Sequence, residues 1–301
     1  HAAGYFGKGG PMYLPDFDYY APESLTEATG LLMQLGPSAR VLAGGTDILV
    51  KMKSGLLAPS ALVSLKNLHN LRRIRWDADR GLAIGALATH NEICNSAVVQ
   101  ERFLSLAEAA HKLANNQVRN RGTIGGNLVN AIPSADLPPI LIALGAYVTL
   151  SGPNSSRTVP VESFFTGVSC CALEPEREIL TEVVIPPQAT TGSTYLKFGL
   201  RRSGALAVVG VAAAVTMDGN VVRDARICLG AVYKVPTRAI QAEQALIGKT
   251  WTNDLLEQAG RTAVGCCLPI SDIRGSAEYR RDLVRIFTRR ALKRAITQGH
   301  V

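Results

Sequence analysis

The sequence predicts an α+β protein of two domains. Three observations carry that prediction. A compact β–turn–α–β unit near the start holds a glycine pair at its first turn. The Pro186-Pro187 pair ends a strand by removing backbone donors. Beyond it, three strands are followed by three helices, the pattern of a small α+β domain. The prolines divide a first domain, residues 12–187, from a second, residues 188–301. With 301 residues, 47 % hydrophobic and 19 % charged, the chain has ample material for a core in each.

The elements follow in order. Ser24–Leu35 reads as a helix: Ser24-Leu25-Thr26-Glu27 fits a capping box, with Ser24 accepting from a helix amide and Glu27 reaching back to the cap. Leu25, Ala28, Leu32 and Leu35 make one apolar stripe, and Gly36-Pro37 stops the helix. A strand at Arg40–Ala43 runs into Gly44-Gly45-Thr46-Asp47, then a helical stretch, Ile48–Lys53, and a strand, Ala61–Leu65. Leu82–Ala86 is strand-like and Glu101–Ala114 is one amphipathic helix. After the second glycine cluster, Gly122–Asn127, come a buried helix at Pro138–Leu144 and strands at Tyr147–Leu150 and Ile179–Ile185. The second domain offers strands at Tyr195–Leu200, Ala207–Met217 and Val221–Leu229, with a hairpin turn at Asp218-Gly219-Asn220. Helices at Arg238–Ile247, Asn253–Cys266 and Ala277–Thr297 complete it.

Composition removes several function classes. No apolar run reaches the ~18 residues of a membrane span, and His1–Gly10 lacks the apolar segment of a secretion signal. The expectation is a cytoplasmic protein. The net charge is +8, and seven cations against two acids between Glu278 and Arg294 supply most of it. No nucleic-acid-binding motif accompanies that helix, which reads as a solvated face or a subunit contact. The six cysteines (Cys94, Cys170, Cys171, Cys228, Cys266, Cys267) fit neither CxxC spacing nor a disulfide framework, so buried, inert thiols are expected. The five histidines show no paired spacing, which argues against a protein-built metal site.

The two glycine clusters carry the chemistry. A glycine pair at a strand-to-helix turn lets backbone amides approach an anion, and Thr46 adds a hydroxyl. Gly125-Gly126 repeats the arrangement, with Thr123 and Asn127 as side-chain partners. Neither cluster is GxGxxG or GxxxxGK[ST], which argues against a Rossmann dinucleotide fold and a P-loop. A single pair by itself reads first as a tight structural turn; two in one domain can grip the two phosphates of a dinucleotide from opposite sides.

Ala43-Gly44-Gly45-Thr46-Asp47 resembles the first flavin-binding motif of the FAD-binding subunits of molybdenum hydroxylases. That family includes the medium subunit of aerobic carbon monoxide dehydrogenase and the flavin domain of xanthine dehydrogenase. Gln117–Leu128, continued by Pro133-Ser134-Ala135-Asp136, is similar to the second motif. Phe164-Phe165-Thr166-Gly167, Glu178–Val183 and Tyr195-Leu196-Lys197-Phe198 resemble later segments, and the resemblance runs from about Met12 to Thr297. It implies an FAD-binding fold of the vanillyl-alcohol oxidase type in two subdomains, about 12–66 and 67–187. A C-terminal domain of a three-stranded antiparallel sheet with a helical bundle would follow.

By the same resemblance, Val41, Leu42, Ala43, Gly44, Gly45, Thr46, Asp47 and Ile48 wrap the FAD pyrophosphate. Thr123, Ile124, Gly125, Gly126 and Asn127 cover it from the other side, with Gly122 and Val129 beside them. Asp136 bonds a cofactor hydroxyl, Leu180 makes backbone contacts at the flavin, Ile179 belongs to the same site, and Lys197 lies close to the cofactor. Taken alone, Asp136 reads equally as a solvated turn residue and Lys197 as a snorkelling surface side chain. Leu113 and Ala114 belong to the site where some relatives place an aromatic residue, which leaves ring stacking open. Many relatives carry a Pro-Gly-Lys-Thr-like stretch where this chain has Val168-Ser169-Cys170-Cys171. The resemblance also implies partners: a large molybdopterin-binding subunit and a small subunit with two [2Fe–2S] clusters, in a dimer of heterotrimers. Electrons would pass from those clusters through FAD to an external acceptor, with no catalytic acid, base or metal ligand in this chain. Competing readings are a stand-alone flavin reductase, similar to enolpyruvyl-glucosamine reductase, and a flavin-free scaffold or nucleic-acid-binding protein using the basic helix.

Overall fold

The computed structural model describes residues 13–201 and 203–298; the expectations for His1–Gly10 and Met12 lie outside the described residues. The first unit contains β1 (Asp18–Tyr20), α1 (Leu25–Leu35), β2 (Ala39–Leu42), α2 (Ile48–Lys53) and β3 (Ala61–Ser64). Its sheet has the order β1-β3-β2 with both pairs parallel. Ala28 and Leu32 of α1 pack on Ala39, Ala61 and Val63 of that sheet. Ser24 caps α1 by accepting from Glu27 N, as the sequence predicts. Glu27, however, reaches the amide of Glu23 rather than that of Ser24, because the chain enters the helix extended and presents the earlier donor.

The second unit contains β4 (Ile74–Asp77), β5 (Gly81–Gly85), α3 (His90–Asn95), α4 (Ala97–Arg102), α5 (Leu104–Lys112), α6 (Asn116–Arg119), α7 (Ile124–Asn130) and α8 (Leu137–Ala143). It continues with β6 (Tyr147–Ser151), β7 (Ser156–Pro160), α9 (Val161–Phe164), β8 (Phe165–Gly167), β9 (Cys170–Cys171) and β10 (Ile179–Ile185). Five strands form an antiparallel sheet in the order β4-β5-β10-β6-β7, while β8 and β9 make a separate hairpin. The single helix expected over Glu101–Ala114 is instead two. Phe103 leaves the helical region at φ −140° and buries its ring against Trp76, so α4 ends and α5 begins at that anchor. Ala114 then turns out at φ +44°.

The third unit contains β11 (Gly192–Phe198), β12 (Val209–Asp218), β13 (Val221–Gly230), β14 (Thr237–Arg238), α10 (Ile240–Leu246), α11 (Asn253–Val264) and α12 (Ala277–Gln298). Its antiparallel sheet has four strands, β11-β12-β13-β14, not three. β14 is only two residues long and has no hydrophobic pattern of its own. It is held by Glu243, whose buried carboxylate accepts from Ile227 N at 2.8 Å and pairs with Arg238 at 2.6 Å. Helix α12 lies on β11 and β12 through Leu292, Ala295 and Ile296. Much of its positive charge is matched inside the chain: Arg280 with Asp272, Arg285 and Arg289 with Glu257, Arg294 with Glu108. The last pair joins the third unit to the second.

Replacing Glu243 with Ala strands the buried Ile227 amide and leaves the Arg238 guanidinium only its longer contact to Glu162 at 3.3 Å. Urea unfolding of Glu243→Ala should show a loss of about 3 kcal/mol; a change below about 1 kcal/mol would mean that β14 does not depend on this carboxylate.

Candidate functional site

A cleft of about 840 Å³ opens between the first two units and reaches the start of the third. The first glycine turn, Val41 and Ala43–Ile48, lines one side. Gly122, Thr123, Gly125, Gly126, Asn127 and Val129 line another. Leu113, Ala114, Asp136, Ile179 and Leu180 also border it, so most of the residues singled out in the sequence converge here. Three stand behind the wall. Leu42 packs under Gly45, Ile124 lies fully in the core, and Lys197 sits behind Asp136.

The two glycine turns differ in kind. Among the described residues, the amides of Gly44, Gly45, Thr46 and Asp47 have no hydrogen-bond acceptor. Gly45 takes φ +80°, where a side chain is strained. Consecutive free N–H groups of this sort form a concavity for an anion. In the second turn, Ile124 N donates to Ala88 O at 3.0 Å and Gly125 N to Ala86 O at 2.9 Å. Gly126 N and Asn127 N close on Thr123, which caps α7. The second cluster therefore does not repeat the first: its amides are spent on packing. What it brings to the cleft wall is the residues Thr123 and Asn127; the buried Asn127 Oδ1 has no partner among the described residues. The turns touch directly, since a Cβ on Gly44 would collide with the Arg121 carbonyl.

Asp136 is buried, not a solvated turn residue. Tyr195 Oη donates to its Oδ1 at 2.9 Å and Lys197 Nζ donates to its Oδ2 at 2.7 Å. Lys197 also reaches Lys112 O at 3.2 Å, so it is a buried ion-pair partner rather than a snorkelling surface cation. Burial pushes the Asp136 carboxyl above its ordinary range while Lys197 pulls it back. Burial also holds the Tyr195 phenol well above its usual value, which keeps it a donor. Ala114, in its left-handed conformation, accepts from Gly204 N at 2.9 Å and so links the cleft wall to the third unit.

The sequence reading missed several lining residues: His90, Lys51, Asn130 and the segment 204–206. Cys170 and Cys171 also border the cleft, and Cys170 is exposed, contrary to the expectation of buried thiols; Cys171 has its thiol pushed up by burial. His90 had one available signal, the Thr89–Glu92 capping box that fixes it at the start of α3. Its ring packs on Gly122, is almost fully buried, and leaves Nδ1 without a partner among the described residues. Desolvation, with a smaller contribution from nearby Arg119, lowers its pKa from 6.5 to about 4. No group of three or more metal-ligating side chains occurs among the described residues, and none of their helices is long and apolar enough to cross a membrane.

The family comparison decides what such a cleft belongs to. The model for the FAD binding domain in molybdopterin dehydrogenase matches residues 15–188, and that for the CO dehydrogenase flavoprotein C-terminal domain matches residues 194–295. The chain belongs to the FAD-binding subunits of the molybdenum hydroxylases. It is 39 % identical to the carbon monoxide dehydrogenase medium chain of Hydrogenophaga pseudoflava, over 94 % of this chain and 98 % of that one. The glyceraldehyde dehydrogenase medium chain of Sulfolobus acidocaldarius is 33 % identical, over 94 % and 99 %. A solved carbon monoxide dehydrogenase from Hydrogenophaga pseudoflava, lacking the Mo-pyranopterin moiety of its molybdenum cofactor, superposes with a TM-score of 0.91 at 38 % identity, covering 95 % of this chain and 99 % of that chain. The relatives are oxidoreductase subunits, and the flavoprotein family embraces both halves of the chain.

His90 gives this flavoprotein subunit a definite pH dependence. The fold holds the imidazole neutral, so below pH 6.5 the unfolded chain takes up a proton that the folded chain refuses until about pH 4. The contribution of His90 to stability should fall as pH drops through that window, by up to about 3 kcal/mol, and that contribution should level off below it. The margin of wild type over His90→Gln in urea unfolding should shrink accordingly between pH 7 and pH 4.5; a constant margin would contradict a neutral buried ring.

Proposed function

We propose that this chain is the FAD-carrying electron-transfer subunit of a molybdenum hydroxylase-type oxidoreductase. Partner subunits would hold the molybdopterin cofactor and two [2Fe–2S] clusters, in a dimer of heterotrimers, and an external acceptor would take the electrons. The observation that carries the reading is the set of four free amides, Gly44 to Asp47, on a cleft of about 840 Å³. The residues fit the cofactor. Adjacent amides suit a diphosphate, and Thr46, Asn127 and Asn130 add polar side chains to the cleft lining. The pairing of a parallel three-stranded unit with an antiparallel five-stranded unit supports the vanillyl-alcohol oxidase type of flavin fold.

FAD, when bound, supplies the redox chemistry; the chain binds, orients and tunes it. The amides of Gly44–Asp47 would receive the negative charge of the cofactor's diphosphate. Leu113, Val129, Ile179 and Leu180 give apolar walls that exclude water. The Asp136–Lys197 pair fixes a charge and its countercharge at the wall, and the fully buried Tyr195 donates to the other carboxylate oxygen.

The desalted full chain should show a flavin absorption spectrum and release FAD, not FMN, on acid treatment. A colourless protein that takes up no added FAD would overturn the reading. Gly126 is the discriminating position, because a Cβ there meets only Thr123 Oγ1, at 3.0 Å. Gly126→Val should abolish FAD retention while far-ultraviolet circular dichroism stays native. Gly125→Ala, whose Cβ would press on Ala86 at 2.8 Å, should instead lower the stability of the apoprotein by about 1–3 kcal/mol. Full FAD occupancy in Gly126→Val would remove the second turn from the site.

A further inference from the structure

Free amides bind an anion well only if the turn that carries them is held still. Three side chains between α2 and α7 form a relay suited to that task. Lys51 Nζ donates to Asn130 Oδ1 at 2.6 Å, and Asn130 Nδ2 donates to Asp47 Oδ1 at 2.7 Å. The two links span 79 and 83 residues of sequence. Lys51, Asn130 and Asp47 all border the cleft. Thr46 Oγ1 donates to the other oxygen of Asp47 at 3.2 Å, so both carboxylate oxygens are engaged.

The chemistry of the middle residue is specific. A primary amide carries an acceptor and a donor in one plane, so it can receive from a cation and give to an anion at once. Both links are charge-assisted. Asp47 matters because it ends the free-amide turn, where an unpaired carboxylate would repel a phosphate.

We infer that Asn130 is a positioning residue for the cofactor: through Asp47 and Lys51 it fixes the first glycine turn against α7 and keeps the Asp47 charge paired. The inference rests on the reading of the cleft as the FAD site. Asn130 makes neither link through its backbone, so its side chain can be changed without touching the helix.

The test compares wild type, Asn130→Leu and Asn130→Asp as full chains, following FAD release into an excess of an apoflavoprotein scavenger. Asn130→Leu should release FAD on the order of tenfold faster, with the melting temperature of its apoprotein unchanged. Asn130→Asp can still accept from Lys51 but sets a second carboxylate beside Asp47. Its release should be faster still at low ionic strength and approach that of Asn130→Leu as salt screens the repulsion. Release at the wild-type rate from Asn130→Leu, or salt-independent release from Asn130→Asp, would overturn the inference. So would an apoprotein of Asn130→Leu that melts lower, which would make the contact merely structural. If wild type takes up no FAD, the functional reading falls and the relay is judged on hydrogen exchange. Leu49 N closes on Gly45 O and Lys51 N on Asp47 O; these amides should exchange faster in Asn130→Leu, and equal rates would refute the relay.

Discussion

The contact on which the rest of the site depends is backbone against backbone: Gly44 lying on the Arg121 carbonyl. No side chain can be accommodated there. This approach brings the first glycine turn, which follows β2 of the parallel sheet, against the second, which opens α7. Once the turns touch, the space beneath them becomes a cleft rather than a surface groove. The amides of residues 44–47 are then left unpaired at its edge, a condition tolerable only where water or a ligand can reach them.

The two turns share a composition and divide the labour. Thr123 illustrates why. Its side chain accepts from Gly126 N and its carbonyl from Asn127 N, so the amides after it enter a helix. The amides of Gly125 and Ile124 meanwhile fasten that helix to the segment after β5. The second turn is thereby a rigid shelf against which the first is set. Rigidity on one side and free donors on the other is a reasonable arrangement for holding a charged cofactor without a metal or a basic cluster.

The third unit is part of the same construction. β11 delivers Tyr195 and Lys197 to opposite oxygens of Asp136, two residues apart and therefore on the same face of the strand. The same strand has its Tyr195 carbonyl bound by Lys112 at 2.8 Å. Gly204 reaches Ala114, and Arg294 pairs with Glu108. These links run between the second and third units, so the position of the Asp136 charge depends on how the C-terminal sheet is docked. The basic terminal helix, much of whose charge is matched within the chain, serves this docking.

Wherever a local signal sufficed, the sequence by itself determined the element: the cap at Ser24, the unbroken strand Ile179–Ile185, the hairpin at 218–220, and the two glycine turns whose motifs point to a flavoprotein. Tertiary structure decided what depends on partners distant in the chain. Phe103 broke a regular amphipathic helix because its ring found Trp76, and β14 exists because Glu243 reaches it. Asp136 and Lys197 read separately as a turn residue and a surface cation; burial made them a pair. The likeness of the two glycine clusters is a sequence fact, and their difference is a tertiary one. Whether an amide is free depends on which acceptor the fold brings to it, and Ala86 and Ala88 come from some forty residues before the second turn.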